Sequence, residues 1–263
     1  MIYRGYVVSH GGRVRTNNED NAYLQGYYRR DVEIFEWEQE CKEKDSILAA
    51  VFDGMGGERD GEVASKMAAE AMAAHSGGRF SKSVANYTVD ANEKIALYDS
   101  IGNMGTTYVI LSVERNWYHF YNLGDSRGYL YRKGRLKQIS LDHTLIRKML
   151  ADGRITKEEA ATHPARHVIS QYLGMKEEGE VIRPEYYHPW FIPAMRGDIC
   201  LLCSDGLTDM LPDQEIEQIL KEEPGLRAKG QRLLEEALAA GGRDNVTVLL
   251  VEAVKRRYTS SPY

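Results

Sequence analysis

Short apolar runs rich in β-branched and aromatic residues, broken at intervals by glycine, aspartate and asparagine, constrain the fold of this chain more than any other feature. Runs at 3–9, 21–28, 47–52, 106–113, 117–123, 128–132, 136–139, 199–203 and 246–251 have the length and composition of strands. Glu114, Arg115 and Asn116, and again Lys133 and Gly134, fall where neighbouring strands would be joined by hairpins. Other stretches place apolar residues three and four apart. In 61–75, Val63, Ala64, Met67, Ala68, Ala71 and Met72 form one stripe, which predicts a helix lying on a sheet with its methionines in the core. Further helices are expected over 89–98, from Thr144 to a stop at Gly153, from a capping box at Thr156 and Glu159, after Pro212, and over 226–240. Strands with segregated helices make the fold class α+β. The acidic, tyrosine-rich stretch 29–45 has no clean period and supports no assignment.

No Pro/Gly/Ser-rich linker or sustained charge run divides the 263 residues, so one domain spanning 1–263 is expected. With 34 Lys and Arg against 39 Asp and Glu, the net charge of -5 points neither to a nucleic-acid surface nor to an acidic tail. The longest apolar run, 47–52, is far shorter than the ~20 residues of a membrane-spanning helix. Met1, Ile2, Tyr3, Arg4 and Gly5 do not begin a signal segment, and a cytoplasmic protein is expected. The 3 cysteines form no disulfide framework. Cys200 and Cys203 have a C-x-x-C spacing, but inside a strand residues an odd number apart point to opposite faces, which opposes chelation and favours burial.

The chemistry gathers at the strand ends. Asp53, Asp125, Asp205 and Asp244 each terminate or precede an apolar run, beside glycine or a small polar residue. Any one of them alone is commonly a cap or a turn residue. Together on one sheet rim they would repel each other unless protonated or bridged by cations, and an all-oxygen ligand set selects magnesium, manganese or calcium over zinc. The segment 13–20 adds Arg13 and Arg15 followed by Glu19 and Asp20. Its arginines offer a donor fork that matches phosphate, and its acids can hold a metal or its waters.

In family order, the chain carries Gly12-Arg13-Val14-Arg15-Thr16-Asn17-Asn18-Glu19-Asp20, Val51-Phe52-Asp53-Gly54-Met55-Gly56-Gly57, Gly105-Thr106-Thr107 and Gly124-Asp125-Ser126-Arg127. Asp142-His143-Thr144, His163-Pro164, Ser204-Asp205-Gly206-Leu207-Thr208-Asp209 and Asp244-Asn245-Val246-Thr247-Val248 follow. This ordered set resembles the PP2C-type, metal-dependent serine/threonine protein phosphatases in their compact bacterial form, over nearly the whole chain. The resemblance implies a β-sandwich of two antiparallel sheets flanked by helices, in four layers αββα. It implies that Asp53 bridges two Mn or Mg ions, that the Gly54 carbonyl holds one of them, and that Asp205 and Asp244 hold the other. Glu19 and Asp20 would bind metal directly or through water, Asp125 and Asp209 would supply a weaker third position, and Arg15 would bind the substrate phosphate. A flap would span about 147–171. The implied reaction is hydrolysis of phosphoserine or phosphothreonine by a hydroxide activated between the two ions. The implied partners are phosphoproteins, including a serine/threonine kinase or its targets, and a monomer with no nucleic acid and no membrane span is expected.

Some relatives use a histidine after the Asp-Gly pair to protonate the leaving alkoxide. Met55 stands there and has no proton to give, which leaves the general acid unassigned, a metal-bound water being one candidate. His10 stands where many relatives have aspartate. His163 and His167 have i,i+4 spacing, but Pro164 lies between them and the glutamate of a zinc-protease helix is missing, which argues against a zinc site. Two rival readings are a non-catalytic phosphoprotein-binding or scaffold module of the same fold, and a calcium-stabilised structural domain; the second gives Arg15 no role.

Overall fold

The computed structural model describes residues 1–29, 35–42, 47–56, 60–99, 104–177, 180–181, 184–189 and 192–254. Its first elements are β1 (Ile2–His10), β2 (Asn21–Leu24), β3 (Tyr27–Tyr28), β4 (Phe35–Lys42), β5 (Ile47–Phe52), β6 (Gly54–Met55), α1 (Asp60–His75) and α2 (Val84–Tyr98). The middle of the chain forms β7 (Gly105–Thr106), β8 (Tyr108–Glu114), β9 (Trp117–Leu123), β10 (Arg127–Arg132), β11 (Arg135–Gln138), α3 (Leu145–Ala151) and α4 (Lys157–Thr162). There follow β12 (Lys176–Glu177), β13 (Glu180–Val181), β14 (Ile192–Pro193), β15 (Ile199–Cys203), α5 (Asp205–Thr208), α6 (Asp213–Glu222), α7 (Leu226–Ala239) and β16 (Val246–Val254).

Two antiparallel sheets dominate, in the strand orders β11-β10-β15-β16-β1-β4 and β14-β9-β8-β5-β2-β3. Strands β5, β8 and β15 are buried at every position, so both faces are covered and their sequences read as continuous apolar runs rather than alternating ones. One face of each sheet meets the other through Val7, Val51, Leu111, Phe120, Leu202 and Leu249. The outer face of the β5 sheet packs on α1 and α2 through Phe52, Ala68, Met72, Tyr87 and Ile95. The outer face of the β16 sheet packs on α5, α6 and α7 through Tyr6, Leu207, Ile216, Leu233 and Leu250. The α+β class and the four-layer order αββα are therefore what the chain adopts. Cys200 faces the space between the sheets and Cys203 faces the helices, as the odd spacing requires.

Several boundaries differ from the sequence reading for local reasons. The run 21–28 is a hairpin, β2 and β3 turning at Gln25 and Gly26, both with positive φ (48° and 92°). The run 106–113 is interrupted at Thr107, between β7 and β8. Helix α2 starts five residues earlier than expected, at Val84, because Val84, Tyr87, Ala91 and Ile95 continue its buried stripe; burial there overrides the weak helix preference of Thr88 and Val89. Part of the unassigned stretch 29–45 is β4, an edge strand paired with β1. Its Phe35 and Trp37 turn toward the core while Glu36, Glu38 and Glu40 face water, a two-residue period that the surrounding charge obscured. Residues 30–34 and 43–45 of that stretch, and Gly57 of the second motif, lie outside the described residues. Both expected hairpins form: Arg115 and Asn116 (φ 52° and 63°), and Lys133 and Gly134 (φ 51° and 79°), have the left-handed backbone of tight two-residue turns.

Strand register gathers the acids. Asn21 pairs with Phe52, which puts Asp20 beside Asp53. Val51 pairs with Val109 and Tyr108 with Leu123, so β9 delivers Asp125 to the same rim. In the other sheet Cys203 pairs with Val248 and with Arg127, and His10 pairs with Val246, which brings Asp205 and Asp244 to that end as well.

Candidate active site

Asp53 is held by its main chain. Its carbonyl accepts from the Thr107 amide and the Thr106 hydroxyl, both at 2.9 Å, and its amide donates to Thr107 Oγ1 at 3.2 Å. Thr107 Oγ1 in turn shares a 2.7 Å hydrogen bond with Ser126, next to Asp125. The Gly105-Thr106-Thr107 motif, to which the sequence assigned no task, thus braces two of the aspartates. Gly54 allows the next step of the chain: a Cβ there would lie 2.1 Å from the Gly61 carbonyl oxygen, so only glycine lets the start of α1 close against β6. The same argument holds at Gly206, where a Cβ would fall 1.9 Å from the Asn245 carbonyl oxygen.

Asp20 is fully buried. Its Oδ2 accepts from Ser204 at 2.7 Å and Thr247 at 2.6 Å, while its Oδ1 has no hydrogen-bond partner among the described residues. Asp125 and Glu19, each 8% exposed, likewise keep one buried oxygen, Oδ1 and Oε1, without a hydrogen-bond partner among the described residues. Asp205 opens α5 just after β15, within the electrostatic reach of Asp53. Asp244 accepts from Arg15 Nη2 at 2.6 Å and from the Asn245 amide at 2.8 Å.

Burial and mutual repulsion act together on these groups. Desolvation pushes the Asp20 carboxyl up to about 7, against hydrogen bonds from Thr247 and Ser204 that favour its charge. Desolvation followed by the field of Asp205 and Asp142 pushes Asp125 up to about 8. Asp53 and Asp205 are both raised, again chiefly by burial; Asp205, Asp20, Asp125 and Asp244 add to the effect on Asp53, and Asp244 and Asp209 to that on Asp205. Glu19 is raised by burial as well. Such a cluster needs either protons or cations. Unpartnered buried oxygens and an all-carboxylate donor set fit divalent oxygen-seeking ions, which would satisfy the orphaned atoms and remove the repulsion in one step.

Every residue picked out from the sequence for this site lies at or beside the rim. Asp20, Asp53, Asp125, Asp205 and Asp244 interact electrostatically as a group, Asp209 caps α5 beside them, Gly54 follows Asp53, and Arg15 and Glu19 lie within their field. The sequence missed three supports. Asn245 accepts from the Glu19 amide at 2.7 Å and donates to the carbonyls of Gly11 at 3.0 Å and Asn17 at 2.8 Å, which stitches the 11–20 loop to β16. Arg29, buried, donates to the Asn18 carbonyl at 2.6 Å and pairs with Glu62 at 3.2 Å. His167 does not pair with His163 but turns to Asp205 and Asp209, with donor atoms mutually within 4.8 Å. Arg166 Nε donates to His167 Nε2 at 2.7 Å, so the neutral ring carries its proton on Nδ1, which faces Asp209 Oδ2 at 3.5 Å. Because these contacts join segments distant in the chain, no local pattern discloses them.

Asn245→Ala is expected to remove three hydrogen bonds from a buried position and to cost about 3 kcal/mol. Thermal denaturation should show a lower midpoint, and calorimetric titration with Mn2+ a weaker affinity, because the loop carrying Glu19 and Asp20 is released. Unchanged metal affinity would show that the stitch does not position the acids.

Comparisons with known proteins agree with this geometry. Residues 10–149 match the model of the family described as Protein phosphatase 2C. The chain is 36% identical over 253 residues, 92% of each protein, to the serine/threonine phosphatase stp of Listeria innocua. The structure of the S. agalactiae serine/threonine phosphatase superposes with a TM-score of 0.79 at 28% identity, covering 95% of this chain and 99% of that one. The catalytic domain of PstP, a name borne by a serine/threonine protein phosphatase of Mycobacterium tuberculosis, was solved with 2 manganese ions. It superposes with a TM-score of 0.72 at 32% identity, covering 97% of this chain and 100% of the other.

Proposed function

This chain belongs to the protein phosphatase 2C family of metal-dependent protein serine/threonine phosphatases, and from that premise we propose that its aspartate rim hydrolyses phosphoserine and phosphothreonine in other proteins. The observation that carries this reading is the convergence of Asp20, Asp53, Asp125, Asp205 and Asp244 on one rim, where burial raises the pKa of the first four and Asp20 and Asp125 each keep a buried oxygen with no hydrogen-bond partner among the described residues. Asp53 would bridge two Mn2+ or Mg2+ ions, with Asp20, Asp205, Asp244 and the Gly54 carbonyl completing their protein ligands and Glu19 acting through water. Asp125 and Asp209 would hold a weaker third. Bound there, divalent ions supply Lewis acidity, lowering the pKa of a water toward neutrality and offsetting charge on phosphoryl oxygens. Thr106 and Thr107 hold the Asp53 backbone in place, so little reorganisation is required when the reaction begins.

Arg15 is half-exposed over the rim and uses one nitrogen on Asp244, which among the described residues leaves other donors of its fork for phosphate. Arg15→Ala is expected to lower kcat/KM for a phosphothreonine peptide about 10- to 100-fold, mostly through KM, with Mn2+ affinity retained; Arg15→Lys should recover part of it. A metal affinity that falls in parallel would place Arg15 with the ions rather than with the substrate. The function itself is tested with p-nitrophenyl phosphate and a phosphothreonine peptide: hydrolysis should appear with Mn2+ and vanish on chelation, and its absence under both conditions would leave the scaffold reading. The substrates would be phosphoproteins, among them a serine/threonine kinase or its targets, met in the cytoplasm. Among the described residues no helix is long and apolar enough to cross a membrane.

A further inference from the structure

A groove of about 660 Å³ runs from the aspartate rim outward, between the core and the α3–α4 excursion. Ile146, Leu150, Ala160 and Met210 give it apolar surface, and arginines stand along it. Two of these are engaged: Arg127 donates to Asp142 Oδ2 at 2.9 and 2.7 Å, and Arg166 donates to His167. Arg147 and Arg243 are exposed, and neither guanidinium has a hydrogen bond or ion pair among the described residues. Both are well placed. Arg147 lies in the first turn of α3, whose base is tied down by the Thr144 cap on the Arg147 amide, by the Leu145 amide on the Val168 carbonyl and by the Ser170 amide on the His143 carbonyl, the last two at 2.8 Å. Arg243 immediately precedes Asp244.

The geometry points to an anion subsite beside the reaction centre: Arg147 and Arg243 receive a negatively charged side chain, a carboxylate or a second phosphate, that flanks the phosphorylated residue of the substrate. The proposal rests on the phosphatase reading and adds a substrate class to it. Ions bound on the rim engage the carboxylates that line the inner end of the groove, so the charge left facing a bound peptide is that of the arginines. An extended peptide alternates its side chains at about 3.3 Å per residue, so one side chain can lie on the Ile146–Leu150 surface while the next reaches a guanidinium fork. Arginine, planar and permanently charged, pairs two-pronged with carboxylate and phosphate alike.

The test uses the intact chain with Mn2+ and three phosphothreonine peptides of one sequence, flanked within three residues by glutamine, glutamate or a second phosphothreonine. An anionic flank is expected to raise kcat/KM by about 10-fold over the glutamine peptide, mainly through a lower KM and more strongly at low salt. In an Arg147→Ala, Arg243→Ala double variant the ratio should fall to near one, and in the Arg→Lys pair it should be partly retained. Because each ratio is taken within one protein, a change in the amount of folded enzyme cancels. The larger of the two anionic ratios identifies the source of the charge. Equal kcat/KM for all three peptides, or an undiminished ratio in the double alanine variant, overturns the subsite alone. Absence of metal-dependent p-nitrophenyl phosphate hydrolysis in the unsubstituted protein overturns the phosphatase reading and the subsite with it.

Discussion

Asp53→Asn is expected to lower Mn2+-dependent kcat toward p-nitrophenyl phosphate by about 10³-fold or more while the metal-free protein becomes more stable, not less. Asparagine keeps the shape and leaves the main-chain hydrogen bonds to Thr106 and Thr107 in place. It removes the negative charge that can bridge two cations, and loss of an electrostatic element at a reacting centre commonly costs 10²- to 10³-fold by itself. It also removes a carboxyl that burial, Asp205, Asp20, Asp125 and Asp244 all disfavour in its charged form. The metal-free variant should therefore melt a few degrees higher than the parent in chelator, and should gain less on adding Mn2+. The two signs are what make the experiment decisive. A structural calcium domain loses stability in the variant but has no hydrolysis to lose, and a scaffold has none in the parent. A variant that keeps parental turnover would remove Asp53 from the reaction.

The metal-free protein is expected to become less stable as pH rises from about 4 to 8, the reverse of ordinary acid denaturation. Asp20, at about 7, and Asp125, at about 8, lie above the ordinary 3.8, and Asp53 and Asp205 are raised with them. Between the unfolded and folded pKa values the folded state binds more protons than the unfolded chain, so stability falls with pH. The contribution of these groups is fully present below about 4 and is lost as pH passes 7 to 8. A shift of three units in a single group corresponds to about 4 kcal/mol. For a chain of this size 1 kcal/mol moves the melting temperature by roughly 2–4 °C, so a fall of more than about 5 °C is expected between pH 5 and pH 8 in chelator. Saturating Mn2+ should abolish or reverse the slope, because cation binding favours the deprotonated carboxylates and stabilises the native state by mass action. Thermal denaturation at constant ionic strength, with and without the ion, reads both effects. A melting temperature that rises with pH in chelator would mean that the acids are solvated and that no cation is needed there.

Together these experiments ask whether one group of acids is both a liability to the fold and the source of the reaction. The groove arginines lie outside that question. They bear on which phosphoproteins are chosen, and so can fail without disturbing it.

The sequence by itself determined the strands at 47–52, 117–123 and 199–203 to the residue, since the fully buried first and last leave unbroken apolar runs, the middle one is rich in aromatic residues, and the turns require particular residues such as Asn116 and Gly134. It also determined the acids, because Asp53, Asp125, Asp205 and Asp244 interrupt such runs where an ordinary core would not. Short-range signals of this kind are written in neighbouring residues. Other features are not: β4 forms because β1 offers it an edge, α2 extends to Val84 because a sheet covers it, and α5 is too short to show a period. Tertiary structure alone decided that Asn245 holds Glu19, that His167 turns to Asp209, and that Arg147 and Arg243 share one groove. Each of these depends on register and packing between segments far apart in the chain, and the free energy of such contacts exists only once the sheets have closed.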